Sequence, residues 1–156
     1  MVKLFGSNSD VSFGDVNLSS DSVRSSHGTP QSPGAGGWPT VRYFNKATGY
    51  GGAPYTKRTA DPMCTELGPG KPYLQEYVET AGTTALCSVA TSDGCSDRQR
   101  TYVEKMKAKG GEEVAKQLAR LGKMAGAGTK MKPELKLWLA QRIGILRQLA
   151  PAKEEL

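Results

Sequence analysis

The sequence predicts an α+β protein, in which a small sheet with one covering helix is followed by a small all-helical bundle. The hydrophobic period changes from about two to about 3.6 near residue 72. From Cys95 onward the composition is that of helices alone. The 156 residues include 19 Gly and 9 Pro, which indicates long irregular stretches between these elements.

The sheet-forming part is expected to contribute three strands. Residues 11–18 have the length and the partial alternation of a strand. Residues 19–37 are rich in Ser, Gly and Pro and are expected to form a long surface loop. Residues 40–44 are β-branched and aromatic, and the glycine-rich segment that follows is typical of a hairpin leading to a short third strand at residues 53–56.

One helix, Pro72 to Ala81, is expected to cover this sheet. Its apolar side chains recur at i, i+3, i+4 and i+7, and a proline occupies its first turn. The chain therefore divides into a sheet-containing domain at residues 1–82, a linker at residues 83–94, a helical domain at residues 95–150 and a tail at residues 151–156.

The helical domain is predicted to contain three amphipathic helices. Ser96 and Gln99 form a capping box that opens the first, and Gly110 with its neighbouring glycine ends it. A second helix is expected over residues 112–124. Pro133 opens the third and longest helix. Because no single apolar stripe can be buried alone, the three should pack into a bundle.

The two ends of the chain carry different signals. Residues 1–7 are too short in apolar length to act as a secretory signal, and no run of about 18 apolar residues predicts a membrane span. The last four residues, Lys153, Glu154, Glu155 and Leu156, differ by one carboxylate exchange from the Lys-Asp-Glu-Leu retrieval address of the endoplasmic reticulum lumen. We therefore expect a resident of that lumen and hypothesise that the sequence lacks its natural N-terminus.

The net charge of +6 arises entirely after residue 95, because residues 96–156 contain 14 basic and 7 acidic residues, whereas residues 1–95 contain 7 and 8. A basic segment can bind nucleic acid, but acidic residues interspersed along helices favour a solvated helical face, and no nucleic-acid partner is expected. The only histidine, His27, lies in the Ser/Gly/Pro-rich stretch and is expected to be a solvated loop residue. No metal site and no cofactor are predicted.

Three cysteines allow at most one internal disulfide bond. Cys87 and Cys95 are eight residues apart and could close a local loop at the junction of the two domains. Two free thiols are the alternative. Cys64 lies elsewhere in the sequence.

The segment Gly-Trp-Pro-Thr-Val-Arg-Tyr-Phe at residues 37–44 resembles thioredoxin-fold domains of the protein disulfide isomerase family. The resemblance extends over residues 1–82, with residues 13–17 in the position of the preceding strand and residues 1–9 at the end of the active-site helix. It implies that the first part is a partial thioredoxin-like sheet. It also implies that Pro39 is cis and that its loop shapes a surface for extended substrate chains.

Residues 95–150 are similar to the helical D-type domain of some members of the same family, as in a redox-inactive escort protein of the endoplasmic reticulum. The similarity is clearest from Pro133 to Leu146. An unrelated three-helix bundle is the alternative. No Cys-x-x-Cys motif is present, so no catalytic residue is predicted.

The first functional hypothesis is a folding-assistance protein that binds unfolded or secretory clients without redox chemistry. The side chains predicted to contact clients are Trp38, Pro39, Thr40, Tyr43 and Trp138, although each could instead pack in the core. The alternative is the C-terminal part of a thiol-disulfide oxidoreductase, a protein disulfide isomerase whose Cys-x-x-Cys lies upstream of Met1. Expected partners are clients, a retrieval receptor and, because a partial sheet leaves an edge open, a second copy of the chain.

Overall fold

The computed structural model describes residues 2–6, 8–21, 23–35, 37–127 and 130–150. The helices are α1 (Val2–Phe5), α2 (Met63–Glu66), α3 (Tyr73–Gly82), α4 (Asp97–Gly126) and α5 (Pro133–Leu149), and the strands are β1 (Ser25–Ser26), β2 (Thr29–Pro30), β3 (Arg42–Tyr43) and β4 (Ala53–Pro54). This content confirms the predicted α+β class.

The strands form two separate antiparallel hairpins, each with two strands. β1 pairs with β2, and β3 pairs with β4 in the register Arg42↔Pro54 and Tyr43↔Ala53. The backbone N–H of Tyr55 donates to the carbonyl of Val41 at 2.9 Å, which extends the second pairing by one step. The hairpin predicted between residues 40 and 56 is therefore confirmed.

The strand predicted at residues 11–18 is wrong, because this segment forms no strand. At its end the chain turns: the amides of Ser20 and Asp21 both donate to the carbonyl of Asn17, at 3.0 and 2.6 Å. The Asp21 carboxylate in turn accepts from the Asn17 amide at 2.6 Å. Asn and Asp commonly offer the backbone such local partners in place of a ladder, so the partial alternation does not lead to pairing.

The predicted loop at residues 19–37 contains the β1–β2 hairpin. Its two-residue turn consists of His27 and Gly28, which have φ values of 50° and 75°. Two successive positive φ values match the twist of the flanking strands and favour a tight hairpin. Asn, Asp and Gly are the residues typical of the first position of such a turn, so a histidine there does not predict it.

Helix α3 covers the β3–β4 hairpin through aromatic contacts. The Tyr77 ring lies edge-on to Tyr43 and Tyr55, with centroid distances of 5.4 and 4.7 Å. The helix begins one residue after Pro72 and ends within one residue of the predicted position. The predicted helix is therefore present and contacts the hairpin, but it packs mainly against α5, and the predicted three-stranded sheet does not form.

A buried carboxylate holds the chain that follows β4. Glu66 has no exposed surface and accepts hydrogen bonds from the Tyr55 hydroxyl at 2.5 Å, the Arg58 amide at 3.0 Å, and both the amide and the hydroxyl of Thr59 at 2.7 and 2.6 Å. Burial alone would raise the pKa of Glu66, but these donors lower it to about 2. The carboxylate therefore stabilises the fold above its ordinary pKa of 4.5 and loses that effect as the pH falls towards 2.

The helical part follows the predicted boundaries. Ser96 accepts from the Gln99 amide at 3.3 Å and donates its own amide to the Gln99 side chain at 2.8 Å, which is the predicted capping box. Gly110, with φ 80° and ψ 172°, interrupts α4 and divides it into two helical stretches. Only glycine adopts that conformation readily, so the predicted end of one helix and start of another are confirmed.

Two layers of apolar side chains join α4 to α5. One face of each helix is buried, as the 3.6-residue spacing predicts. The layer whose buried residues all belong to these two helices consists of Met106, Val114, Leu121, Leu139, Ile143 and Leu146.

Residues 83–94, the predicted linker, pack directly against α5. Thr84, Ala85 and Cys87 are at most 1% exposed. The Gln148 side chain donates to the Cys87 carbonyl at 2.9 Å and accepts from the Val89 amide at 3.0 Å. The first half of this segment, through Val89, is thus part of the core that joins the two regions, whereas residues 90–94 are exposed.

Glu79 of α3 connects three parts of the chain at this junction. Its carboxylate is fully buried and accepts from the Leu86 amide and from the Gln141 side chain of α5, both at 2.9 Å. Burial raises the pKa of Glu79, and the hydrogen bonds from Leu86, Gln141 and Gln75 offset only part of that rise.

We expect Glu79→Gln to flatten the pH dependence of stability. The folded chain holds the Glu79 proton to a higher pH than the unfolded chain, so the free energy of unfolding should fall as the pH rises from the ordinary value of 4.5 through the raised pKa. Glutamine retains the shape and an acceptor for Leu86, and it has no proton to lose. Urea unfolding followed by circular dichroism at several pH values measures the slope. The exposed Glu104→Gln should leave it unchanged; an equal slope in Glu79→Gln and wild type would contradict the assignment.

Candidate functional site

An apolar groove of about 910 Å³ lies in the N-terminal region. Its walls are formed by residues 14–18 and Val23, by the β1–β2 hairpin with the residues that follow it, and by side chains between residues 38 and 50. The large apolar side chains along it include Val16, Leu18, Trp38, Pro39, Phe44 and Tyr50. We call this surface the aromatic groove.

The rings of the aromatic groove are unusually open to solvent. Trp38 is 75% exposed, and Phe44 and Tyr50 are each 56% exposed. The Trp38–Pro39 peptide bond is cis, and the Thr40 hydroxyl donates to the Gly37 carbonyl at 2.6 Å beside it. Single exposed apolar residues are ordinary, whereas a contiguous patch of this kind marks an interaction surface.

The main polar groups of the groove bond to the protein itself. Gln31 donates to the Tyr50 carbonyl at 2.7 Å, and Arg42 donates to the Gln31 carbonyl at 2.8 Å. Asn45 donates to the Ala81 carbonyl at 3.0 Å. These bonds brace the two hairpins and α3 against one another. The groove surface that remains available to a ligand is therefore mainly apolar and aromatic.

His27 lies at the rim of the aromatic groove. Its ring is exposed and stacks on Tyr50, with a centroid distance of 3.9 Å and an interplanar angle of 13°. The histidine is a turn residue with an exposed side chain, as predicted.

The structure brings together three of the five predicted client-contacting residues. Trp38, Pro39 and Thr40 line the aromatic groove. Tyr43 is half-buried and packs against α3. Trp138 lies on α5, where the guanidinium of Arg98 sits 3.9 Å from its ring centroid, so its ring joins α4 to α5.

Val16, Leu18 and Phe44 line the groove but are not predicted as site residues. The sequence predicts Val16 and Leu18 in one strand and Phe44 at the end of another. The available signal was the alternation of Val16 and Leu18, which places both on one side of an extended segment. Nothing in the sequence shows that this side faces Trp38.

The structure joins Cys87 and Cys95 in a disulfide bond with an S–S distance of 2.02 Å. Cys87 is fully buried and Cys95 is 8% exposed. Cys64 is free and exposed on α2. Of the two alternatives for the pair, the structure contains the disulfide.

Within the described ranges, no group of three or more His, Cys, Asp or Glu side chains is placed to hold a metal ion. No helix in the same ranges is long and apolar enough to cross a membrane. The retrieval signal predicted at Lys153–Leu156 lies outside the described residues.

Comparison with known proteins found no matching family model, no matching curated protein and no matching solved structure. The functional assignment therefore depends on the residues and geometry of the chain itself.

Proposed function

We propose that this chain is a folding-assistance protein of the endoplasmic reticulum lumen, which binds unfolded or secretory clients without redox chemistry. The observation that carries the proposal is the aromatic groove, where Trp38, Phe44 and Tyr50 are exposed on one continuous surface. Unfolded clients present apolar and aromatic segments, and binding buries both surfaces.

The distribution of polar groups supports an apolar ligand. Gln31, Arg42 and Asn45 already have protein partners, so a ligand need not satisfy them. Asp15 and Lys46 also line the groove and have no ion-pair partner among the described residues. Two separated charges of opposite sign add little preference for a charged ligand. A groove of this kind accepts many client sequences.

The cysteines support binding over disulfide exchange. Exchange begins when a thiolate attacks an accessible sulfur, and Cys87 is fully buried. The one exposed thiol, Cys64, belongs to no Cys-x-x-Cys pair. The chemistry proposed for this chain is therefore reversible association.

Two further features support the compartment. A structural disulfide persists in an oxidising lumen, and the last four residues of the sequence are close to a retrieval address. The proposed partners are clients and a retrieval receptor. Kinship with thioredoxin-like and D-type domains belongs to the same proposal, supported by the residues at 37–44 and 133–146.

Trp38→Ala is expected to weaken client binding about tenfold, since a large, exposed aromatic ring at the centre of a contact surface typically contributes that much. The probe is a secreted protein kept unfolded by reduction and alkylation, titrated against the full chain by fluorescence anisotropy. Leu4→Ala is the matched control, because Leu4 is 51% exposed and lies outside the groove. Equal affinity for wild type and Trp38→Ala would refute the groove as the client site.

A further inference from the structure

The excess positive charge of the chain is concentrated at one end of the helical part. Residues 114–136 carry six basic side chains and a single acidic one, Glu134. The preceding stretch of α4, residues 97–113, carries five basic and four acidic side chains. The two stretches therefore differ sharply in their electrostatic field. The six basic residues, which we call the basic end, are Lys116, Arg120, Lys123, Lys130, Lys132 and Lys136.

Helix geometry places half of the basic end on one stripe. Lys116, Arg120 and Lys123 occur at i, i+4 and i+7 and are exposed. This stripe is offset from the buried residues Val114 and Leu121 by about half a turn, so it faces away from the core. No salt bridge among the described residues involves any member of the basic end. Arg120, however, donates to the Gln117 side chain at 2.9 Å, and Lys116 and Arg120 both lower the pKa of the Glu113 carboxyl. The charges available to an external partner are therefore those of Lys123, Lys130, Lys132 and Lys136, which are all exposed.

The end of α4 and the start of α5 lie together. Ala125, Met131, Lys136 and Leu139 line one small pocket of about 200 Å³ at this point. Lys136 of α5 therefore lies near the last turn of α4, the turn that follows Lys123.

Apolar side chains protrude among these cations. Met124 is 40% exposed and Leu135 is 54% exposed. Leu135 lies one helical turn before the buried Leu139, on the same side of α5. A protruding leucine flanked by lysines matches the chemistry of a bilayer interface, where the apolar group enters the headgroup region and the cations remain outside.

The residue types of the basic end distinguish a protein partner from a lipid surface. Specific protein interfaces are enriched in aromatic residues and arginine and depleted in lysine, whereas five of the six basic residues here are lysines and no aromatic residue lies between 114 and 136. Lysine is a hydrated point charge that needs no matched geometry. We propose that the basic end docks on an anionic lipid surface, with Leu135 at the interface.

The test is co-sedimentation of the full chain with phosphatidylcholine vesicles that contain about one third phosphatidylserine. We expect binding to these vesicles at low salt, none to pure phosphatidylcholine, and release at roughly 0.5 M salt. The triple variant Lys123→Gln, Lys130→Gln and Lys136→Gln should lower the partition coefficient about tenfold or more, from the usual contribution of each lysine beside an anionic bilayer. Leu135→Ser should weaken binding while leaving the charge intact.

The matched control is Lys57→Gln, Lys71→Gln and Lys105→Gln, which removes the same charge from exposed positions elsewhere. It should bind within about twofold of wild type, and circular dichroism melts should show that both triple variants fold. Equal losses in the two triple variants would mean that only net charge matters and would overturn the proposal. Absence of vesicle binding would also overturn it, including a result in which the basic end binds only an acidic peptide or single-stranded RNA.

Discussion

Gly144→Val is expected to lower the free energy of unfolding by about 3 kcal/mol or more, because it forces apart two backbones. A Cβ atom at Gly144 would lie 2.4 Å from the backbone nitrogen of Ala85 and 2.6 Å from the carbonyl carbon of Thr84. These atoms belong to a buried segment, so neither can yield without moving α5. Urea unfolding followed by circular dichroism measures the loss.

Gly122 provides the matched control on a helix of the same bundle. A Cβ atom there would meet no atom within 4 Å, and Gly122 is exposed on α4. Gly122→Ala should therefore raise stability, by at most about 1 kcal/mol, through its higher helix propensity. Wild-type stability in Gly144→Val would show that Thr84 and Ala85 do not lie against α5.

Removing the disulfide with Cys87→Ser and Cys95→Ser together should cost about 2 to 3 kcal/mol of stability. The bond closes a loop with a sequence separation of only 8 residues, which places the entropic effect at the lower end of the usual range. The substitution also places a hydroxyl at the fully buried position 87. Thermal and urea unfolding of the double variant measure the effect.

Cys64→Ser is the control for this experiment, since Cys64 is free and exposed and its replacement should be silent. Dithiothreitol should bring the wild type close to the double variant and leave the double variant unchanged. A wild type that is equally stable with and without reductant would remove this argument for an oxidising compartment.

The helices were predicted most accurately. Ser96 with Gln99, Gly110 and Pro133 are local signals that act within one turn, and each marks a helix boundary in the structure. The strands were predicted less well. The hairpin at residues 40–56 was found from its β-branched and aromatic residues, whereas residues 11–18 carried a pattern with no strand beside it to pair with.

The candidate site was predicted in part. Trp38, Pro39 and Thr40 lie in the aromatic groove. The sequence does not show, however, that Trp38 is exposed on a surface whereas Trp138 packs against other side chains. Both are large aromatics near proline. Only the position of Arg98 and Tyr102 beside Trp138 shows that the Trp138 ring packs between α4 and α5.

The sequence by itself determined the α+β class, the capping and ending of the helices, the hairpin at residues 40–56 and the concentration of positive charge after residue 95. These follow from interactions between residues near in the chain. The tertiary structure alone decided that Thr84, Ala85, Cys87 and Val89 are core, that Glu79 joins α3 to α5 and that Val16 and Leu18 line the same groove as Trp38. Such contacts join residues tens of positions apart, and their free energy depends on how whole surfaces fit, which no local pattern encodes.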